Sequence, residues 1–447
     1  MNDIIPTGYA SAVYEVADAL EANELYQRNG WTDGLPIVPP TEAAVAQCLA
    51  AAGLQPAEVI GVEPVRRRSL TAEKVAIAAV MAGCLPAYMP VVVAVVRAMC
   101  RPEYALHGST ASTGGSAPFI VVNGPVRRTL GMNATHNALA NASRANAAIG
   151  RSIRLILINV LGGLPGQLDR ATLGHPGKFT FCVAEDEEDS PWLPLAAERG
   201  VAAGTSAVTV MQVESPHQIM NEWTHDPREI LDTYAAAVKS NMLTYSIWEG
   251  NYAFVIPRQH REIFAAAGWS KQHIREYTFE AARVRRGEWR GVGKAAVAGR
   301  KDEDKVYRAL RSPDDLLVIA AGGPAGGFGA ILPPWYGNKS LAVTEPITSS
   351  QENAMTLRVL DPREAAHGEA LTMAPPLPSL KGAVVGMIDN AKIGTARLFD
   401  FIEEILRTEH GVRECIRRRK PDATKPVPEA MLLELAGADA MLAAIGD

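Results

Sequence analysis

The sequence from residue 382 reads Gly382-Ala-Val-Val-Gly-Met-Ile-Asp-Asn390, a short apolar run that ends in two polar side chains. Two further apolar runs follow it, and a helical segment precedes each of them. The predicted order is strand 383–388, helix 395–408, strand 412–416, helix 427–436 and strand 439–444. Strands that alternate with helices predict a parallel sheet with right-handed crossovers. We therefore predict a βαβαβ module over residues 381–447.

The rest of the chain also alternates between strand and helix patterns. We predict an α/β protein with a multi-layer N-terminal α/β module over residues 1–350, a linker over 351–380 and the parallel C-terminal module. The loop after a strand of an α/β domain commonly carries the chemistry, and the sequence stops where such a loop would begin. We therefore expect the C-terminal module to be incomplete, with Asp389, Asn390 and Asp447 on one rim.

Composition excludes several classes of protein. The chain has 447 residues, of which 47% are hydrophobic and 21% are charged, which is enough apolar material for two or more sizeable cores. A net charge of -5 with scattered basic residues argues against nucleic acid binding. The sequence shows neither a signal peptide nor an apolar run long enough to span a bilayer. Five widely spaced cysteines indicate reduced thiols, and we expect a cytoplasmic protein.

Cys84 is the first candidate catalytic residue. It follows a helix predicted from Thr71 to Met81 and precedes a helix that begins near Pro90. A thiol near the amino end of a helix is expected to have a lowered pKa, because the helix dipole favours the thiolate. The alternative is that Cys84 is a small buried packing residue.

Polar residues are dense between His107 and Arg154, where substrate binding is expected. A buried strand from Pro118 ends at Asn123-Gly124, and the glycine permits a turn toward a ligand. Asn146 is a further candidate hydrogen-bonding residue. Three arginines follow that could gather at a carboxylate or phosphate: Arg144, Arg151 and Arg154. The alternative for these arginines is a solvated or ion-paired helix face.

Two residues are candidates for acid–base catalysis. His136 lies in the same polar stretch, although a histidine in a loop is often only hydrogen-bonded there. Glu185 ends a predicted strand and is the best candidate acid or base of its acidic run, whereas Asp186 to Asp189 are interpreted as solvated. No closely spaced histidine pair indicates a metal, so we predict no cofactor and leave a metal site open.

A glycine-rich loop follows the strand at Leu316–Ala321 and contains Gly322, Gly323 and Gly326. Its backbone amides could approach an anionic ligand, but the spacing is neither a dinucleotide fingerprint nor a P-loop. We interpret this strand and the strand that ends at Asn123 as counterparts in one sheet.

Several stretches of the sequence resemble a little-characterised bacterial family, the UGSC proteins. They are Gly382–Lys392, Glu409–Cys415, Lys420-Pro421 and Gly437–Asp447, with weaker resemblance at Ala82–Pro90, Ser143–Arg151 and Gly268-Trp269-Ser270. In that family the stretch similar to Ala444-Ile-Gly-Asp447 is followed by Sec-Gly-Ser-Cys or Cys-Gly-Ser-Cys. The resemblance therefore implies a selenocysteine or cysteine immediately after Asp447. If that residue is selenocysteine, its UGA codon would explain why the sequence stops at Asp447.

Three hypotheses about function follow. The first is a thiol- or selenol-dependent oxidoreductase in which Cys84 acts on a small, polar, anionic substrate and the chalcogen after Asp447 resolves the intermediate. The second is a lyase or hydrolase in which Cys84 is the nucleophile and His136 or Glu185 is the acid–base group. The third is a non-catalytic subunit that a homo-oligomer or a partner chain completes.

Overall fold

The structure is a computed structural model of the chain. It describes residues 8–140, 143–245, 248–299, 302–348, 359–360, 376–391, 395–422 and 425–444. The chain divides into two compact units, Met1–Glu364 and Ala365–Asp447. Much of the predicted linker at 351–380, together with Asp447, lies outside the described residues. Val359–Leu360, within that predicted linker, pair with Val13–Tyr14 near the start of the chain.

The N-terminal unit contains most of the helices and strands. Its helices are α1 (Ala19–Arg28), α2 (Glu42–Ala52), α3 (Ala72–Met81), α4 (Met89–Met99), α5 (Leu106–Thr110), α6 (Val126–Thr129), α7 (Arg144–Asn159), α8 (Leu195–Glu198), α9 (Pro227–Thr244), α10 (Arg258–Ala266), α11 (Lys271–Ala281), α12 (Glu288–Gly291) and α13 (Ala295–Ala298). Its strands are β1 (Val13–Tyr14), β2 (Val59–Val62), β3 (Ser69–Thr71), β4 (Ala117–Asn123), β5 (Cys182–Ala184), β6 (Ala207–Val213), β7 (His217–Met220), β8 (Ala253–Ile256), β9 (Arg283–Arg285), β10 (Val306–Arg308), β11 (Leu317–Ala320), β12 (Phe328–Leu332), β13 (Val343–Pro346) and β14 (Val359–Leu360).

Two four-stranded sheets of identical topology form the centre of this unit. In the first sheet β4 pairs in parallel with β5 and antiparallel with β6, and β13 lies beyond β6. In the second sheet β8 pairs in parallel with β11 and antiparallel with β12, and β7 lies beyond β12. The strands β4, β5, β6 and β7 therefore repeat as β8, β11, β12 and β13. The last strand of each repeat completes the sheet of the other.

The hydrogen bonds between the sheets follow the same two-fold relation. An antiparallel bridge joins Val213 to Pro334, which are equivalent positions just past Met211 and Leu332. On one side of this bridge the Glu214 amide donates to the Pro333 carbonyl over 2.9 Å, and on the other the Trp335 amide donates to the Gln212 carbonyl over 3.1 Å. A local two-fold axis thus passes near the Val213–Pro334 bridge.

The buried residues form three layers in the order that this topology requires. Even-numbered residues of β4, such as Ile120 and Val122, pack against α2, α3, α4 and α7. Odd-numbered residues, such as Phe119 and Val121, face the second sheet. The other side of the second sheet, including Phe254, packs against α9, α10 and α11. Because alternate residues of a strand point to opposite faces, two sheets with apolar residues on both faces give a helix–sheet–sheet–helix arrangement.

Most predicted elements of this unit are confirmed, with two corrections. Residues 10–27 have helical spacing in the sequence, which predicts one helix there, but α1 begins only at Ala19, where the Asp18 side chain caps it by accepting from the Glu21 amide. The strand before Gly322, β11, lies in the second sheet and β4 in the first, so the prediction of one shared sheet is wrong. The repeat shows that β8, rather than β11, is the counterpart of β4.

The C-terminal unit is the predicted parallel βαβαβ module. It contains β15 (Val384–Asp389), α14 (Thr395–Thr408), β16 (Glu414–Arg419), α15 (Glu429–Leu435) and β17 (Ala440–Ala444). The strand order is β16-β15-β17, and both pairings are parallel. Val385 and Met387 pack under Phe399 of α14, whereas a Cβ at Gly386 would contact Leu435 of α15, so the two helices cover opposite faces.

Candidate functional site

Cys84 is buried between α3 and α4, and its thiol is not activated, contrary to the prediction. Its amide donates to the Ala79 carbonyl at the carboxyl end of α3. Burial raises the pKa of the Cys84 thiol well above its usual value; the nearby Cys48 adds to the rise, and a hydrogen bond with Ser152 and the charge of Arg144 only partly oppose it. The expectation of a lowered pKa is therefore wrong, because desolvation outweighs the helix dipole and the nearby cation.

The three predicted anion-binding arginines do not gather at one point. Arg144 donates through Nε and Nη2 to the Gly83 carbonyl over 3.0 and 2.8 Å. Arg151 forms a two-point ion pair with Asp33 over 2.8 and 2.7 Å. Arg154 donates to Asp169 over 3.1 Å. The contacts of Arg144 and Arg151 connect helix α7 to the backbone at Gly83 and to the loop at Asp33.

Glu185 occupies a fully partnered, buried position where β5 ends. It is 1% exposed, and its Oε2 accepts from Asn123 Nδ2 and the Leu195 amide, both over 2.6 Å. Its Oε1 accepts from the Lys271 ammonium over 3.1 Å. These hydrogen bonds connect the end of β5 to Asn123 of β4, to the Leu195 backbone and to Lys271 of α11. The neighbouring Asp186 is buried and paired with Arg261, so its interpretation as a solvated residue is wrong.

Asn146 and Gly124 are also engaged within the protein. Asn146 accepts from the Asn133 amide over 2.9 Å and donates to the Asn133 carbonyl over 3.0 Å, which fixes the loop that leads to His136. Gly124 has a φ of +87°, and a Cβ there would lie 2.6 Å from Ser206 Cα. The glycine is required by this close approach of the two backbones.

The glycine-rich loop lies beside His136, as a shared site would require. The Gly322 amide donates to the Ala134 carbonyl over 2.9 Å, and a Cβ at Gly323 would lie 3.1 Å from His136 Cδ2. Gly326 precedes Gly327, whose amide donates to Glu222 over 3.0 Å. Two amides of this loop are thus occupied by protein acceptors, while the His136 ring is exposed.

In the C-terminal unit, Asp389 and Asn390 lie at the carboxyl end of β15, as predicted. Asp389 Oδ1 accepts from the Ala391 amide over 2.8 Å, and Asn390 accepts from the Lys420 ammonium over 2.6 Å. The first crossover runs from β15 to β16, and the second runs from β16 past β15 to β17, so the direction of the connections reverses at β15. A crevice between the ends of β15 and β17 is where open α/β sheets commonly bind ligands.

A buried carboxylate that was not predicted as a site residue, Glu214, lies near the local two-fold axis. It follows β6 directly and is 8% exposed. Its Oε1 is buried and has no hydrogen-bond partner among the residues that the structure describes. The atoms around this oxygen can be located from the neighbouring Gly114. A Cβ placed on Gly114 would lie 2.7 Å from the Tyr245 hydroxyl, 3.3 Å from Ser112 Oγ and 3.5 Å from Glu214 Oε1. Three oxygen atoms therefore converge beside Gly114, which is itself exposed.

The environment of Glu214 changes its titration. Burial raises the pKa of Glu214 to about 7, although the hydrogen bond with Tyr245 and the charge of Lys178 oppose the rise. Burial and the nearby carboxylate also raise the pKa of Tyr245, so its hydroxyl stays protonated. A carboxyl group with a pKa near neutral pH, beside a hydrogen-bond donor and an exposed glycine, is a candidate acid–base group. We call Ser112, Gly114, Glu214 and Tyr245 the Glu214 pocket.

The two-fold relation explains how the pocket is built. Glu214 reaches Tyr245, in the loop before β8 of the second repeat. At the equivalent position Trp335 reaches back, and its Nε1 donates to Ser112 Oγ over 2.8 Å in the loop before β4 of the first repeat. The pocket thus combines both repeats of the N-terminal unit, although only one of the equivalent residues is a carboxylate.

A sequence signal for Glu214 exists, although it is weak. Residues Ala207–Val213 are mostly apolar, and this carboxylate follows them directly, which is the same pattern that singled out Glu185. The pattern alone does not distinguish a carboxylate with several donors from one with an unpartnered oxygen. That difference depends on the fold, because the loops that surround each residue come from distant parts of the chain.

Comparison with known proteins supports the predicted relationship of the C-terminal unit, a parallel α/β module with a polar rim. Residues 358–447 match the UGSC family, so the resemblance predicted from the sequence is confirmed for that part of the chain. No curated protein matches the chain. Among the described residues, no helix is long and apolar enough to cross a membrane, and no group of three or more metal-ligating side chains is assembled.

Proposed function

We propose that the N-terminal unit is an enzyme that transfers protons on a small polar substrate, with Glu214 as the acid–base group and Tyr245 as hydrogen-bond donor. The reaction class is that of a lyase or isomerase. The observation that carries this proposal is the buried Glu214 Oε1, which has no partner among the described residues and faces the same point as the Tyr245 and Ser112 hydroxyl groups.

The chemistry follows from the two side chains. Ionised Glu214 takes a proton from a carbon atom next to a substrate carbonyl group, and the electron pair of that C–H bond passes to the carbonyl oxygen. Protonated Glu214 accepts from the Tyr245 hydroxyl less strongly than the carboxylate does, so the hydroxyl turns to the negatively charged substrate oxygen and stabilises it by donating its hydrogen bond. Return of the proton to a neighbouring atom gives an isomer. Alternatively, the electron pair forms a double bond and expels a leaving group, which takes the proton from Glu214.

The titration of Glu214 suits this role. A pKa near the working pH allows one group to accept a proton and give it back within a turnover, and positioned acid–base groups typically contribute about 10²–10⁴-fold in rate. Activity should rise with pH through the pKa of Glu214, because the base is the ionised form.

The test is exchange of substrate hydrogen for solvent deuterium across a set of candidate compounds. Small keto and hydroxy acids are incubated with the full chain in D2O, and loss of the C–H signal is followed by NMR. Exchange of at least one compound by the wild type, and its loss in Glu214→Gln, is the expected result. Glu345→Gln, on the outer strand β13 and paired with Arg101, is the matched control. Equal exchange by Glu214→Gln would remove Glu214 from the reaction.

A thiol-dependent oxidoreductase is our second candidate function, with Cys84 as the redox thiol. Two contacts favour it, because Ser152 and Arg144 both stabilise the thiolate. The family match of the C-terminal unit adds support through the chalcogen loop that the resemblance implies. The test is thiol-dependent reduction of small disulfides and peroxides by the wild type and Cys84→Ser; activity that Cys84→Ser retains in full would reject this candidate. The cytoplasmic location, the homo-oligomer and the partner chain stay predictions.

A further inference from the structure

A further pocket opens at the amino end of strand β11, beside helix α11. Its volume is about 460 Å³, within the range of small-molecule sites and many times the roughly 30 Å³ that one water molecule occupies in the liquid. Arg199 and Asp314 line this pocket and are exposed, so it is open to solvent. It shares no lining residue with the Glu214 pocket. The pocket can therefore admit a small organic molecule.

Arg199 lines this pocket and pairs with no carboxylate among the residues that the structure describes. Its Nε donates to Thr344 Oγ1 over 2.6 Å and its Nη2 to the Ala342 carbonyl over 2.8 Å, and both acceptors are neutral. These two bonds hold the guanidinium in place and leave the N–H groups of Nη1 for a ligand. Partial burial and the charge of Arg275 lower the pKa of Arg199. An anion in the pocket would relieve this repulsion between the two arginines.

The other cations on this side of the pocket share one carboxylate. Glu198 accepts from Arg275 Nη1 and Nη2, both over 3.0 Å, and from the Lys271 ammonium over 3.1 Å. Lys271 is also paired with the buried Glu185. With Arg199 included, three cations face two carboxylates. This side of the pocket therefore carries one excess positive charge.

The rest of the pocket is apolar except for one carboxylate. Leu195, Leu316 and Leu317 are each no more than 2% exposed and form the floor. Asp314 lies in the turn at Pro313–Asp315, and its carboxylate pairs with no cation within the described part of the chain. The pocket thus presents a guanidinium with free donors, an apolar floor and a single exposed carboxylate.

We infer that this pocket binds a small monocarboxylate with an apolar body. The ligand carboxylate accepts from the Nη1 donors of Arg199, and its apolar body lies over the leucine floor. The excess positive charge beside Arg199 favours one anionic group. Asp314 disfavours a second one, because like charges repel. The site goes beyond the proposed function, since neither Glu214 nor Tyr245 takes part in it.

The test is calorimetric titration of the full chain with isocaproate, succinate and isopentylamine, which carry one carboxylate, two carboxylates and one ammonium group. The wild type is expected to bind isocaproate most tightly of the three. Arg199→Gln should lose about tenfold or more in affinity for isocaproate, because it removes a charge-assisted hydrogen bond, whereas Arg199→Lys should lose less. Arg228→Gln, at an exposed position of α9, is the matched control and should bind as the wild type does.

Three results of this titration would overturn the inference. They are no binding of isocaproate, equal binding of isocaproate by Arg199→Gln and the wild type, and binding of isopentylamine as tightly as isocaproate.

Two further variants keep the test decisive. Asp314→Asn changes an exposed side chain outside the ion pairs, so it should fold and should strengthen succinate binding by roughly threefold, with a smaller effect on isocaproate. Unchanged succinate affinity in Asp314→Asn would count against the site even if Arg199→Gln fails to fold. Glu214→Gln should bind isocaproate as the wild type does. Loss of isocaproate binding in Glu214→Gln but not in Arg199→Gln would place the carboxylate at Glu214 and overturn the inference, whereas hydrogen exchange alone decides the proposed function.

Discussion

Glu214 and Trp335 occupy equivalent positions in the two repeats of the N-terminal unit, one residue beyond the bridge that joins Val213 to Pro334. Each amide donates to a carbonyl of the opposite repeat, and each side chain contacts the loop before the central strand of that repeat. The backbone is therefore nearly symmetric where the side chains are not. One repeat has the buried indole of Trp335 at this position, and the other has the buried carboxylate of Glu214.

Replacing Tyr245 by Phe should raise the pKa of Glu214 further. The Tyr245 hydroxyl hydrogen-bonds to the carboxylate and thereby lowers a pKa that burial raises. Its loss removes that stabilisation of the charged form, so the rising limb of the pH–rate profile should move to higher pH by about one unit. The measurement is the exchange rate in D2O against pH for both proteins. A limb that stays in place would show that the hydroxyl does not act on Glu214.

Gly114→Ala should block the pocket while leaving the fold intact. The added methyl group would lie 2.7 Å from the Tyr245 hydroxyl, at the free end of a half-exposed side chain that can move. We expect a loss of activity of at least about tenfold with a change in unfolding free energy of less than about 1 kcal/mol. Gly291→Ala is the control, because its Cβ would meet nothing within 4 Å. Full activity in Gly114→Ala would place the reaction elsewhere.

Lys271→Met should destabilise the protein strongly, by about 3–5 kcal/mol, because it leaves Glu185 buried without its cation. Both side chains are almost fully buried, at 2% and 1% exposure, and lie 3.1 Å apart. Chemical denaturation followed by fluorescence measures the change. A loss below about 1 kcal/mol would show that the Glu185 contacts to Asn123 and Leu195 suffice without the ion pair.

Cys84 should react slowly with iodoacetamide in the folded protein at pH 8. Burial raises its pKa and limits access, so the thiolate is scarce. Mass spectrometry after a timed reaction, with and without denaturant, should show modification of Cys84 mainly in the unfolded chain. Rapid modification of native Cys84, prevented in Cys84→Ser, would favour the thiol-dependent candidate over the Glu214 pocket.

The sequence predicts what depends on local periodicity. In the C-terminal unit the alternation of apolar and helical segments places all three strands and both helices, since each βα connection is short and local. The same holds for α3, whose apolar residues and Thr71 boundary were predicted. The position of Asp389 and Asn390 at the rim of the sheet follows from the predicted end of β15, because the carboxyl ends of parallel strands lie at the same edge.

What the sequence could not show depends on contacts between distant segments. The pairing of Arg151 with Asp33 spans 118 positions, so a helix with several arginines could not be distinguished from an anion site. The assignment of β4 and β11 to different sheets depends on which strands pair with each other, and no local pattern encodes that pairing. The roles of Glu185 and Glu214 differ only in the donors that surrounding loops provide.

The most direct test of the account is the pH dependence of unfolding free energy for the wild type and Glu214→Gln. The pKa of Glu214 rises from 4.5 to about 7 on folding, so between these values the folded state binds more protons than the unfolded state. Stability from this group is therefore complete below pH 4.5 and falls as pH rises through 7, by about 3 kcal/mol in total. The glutamine variant lacks this loss, because its amide does not titrate.

The predicted result is a difference curve in which the wild type loses about 3 kcal/mol relative to Glu214→Gln between pH 4 and pH 8. Glu345→Gln retains Glu214 and should therefore show the same loss as the wild type. A wild-type curve parallel to that of Glu214→Gln, within about 0.5 kcal/mol over the whole range, would show that Glu214 titrates normally. It would contradict the assignment of Glu214 as the acid–base group.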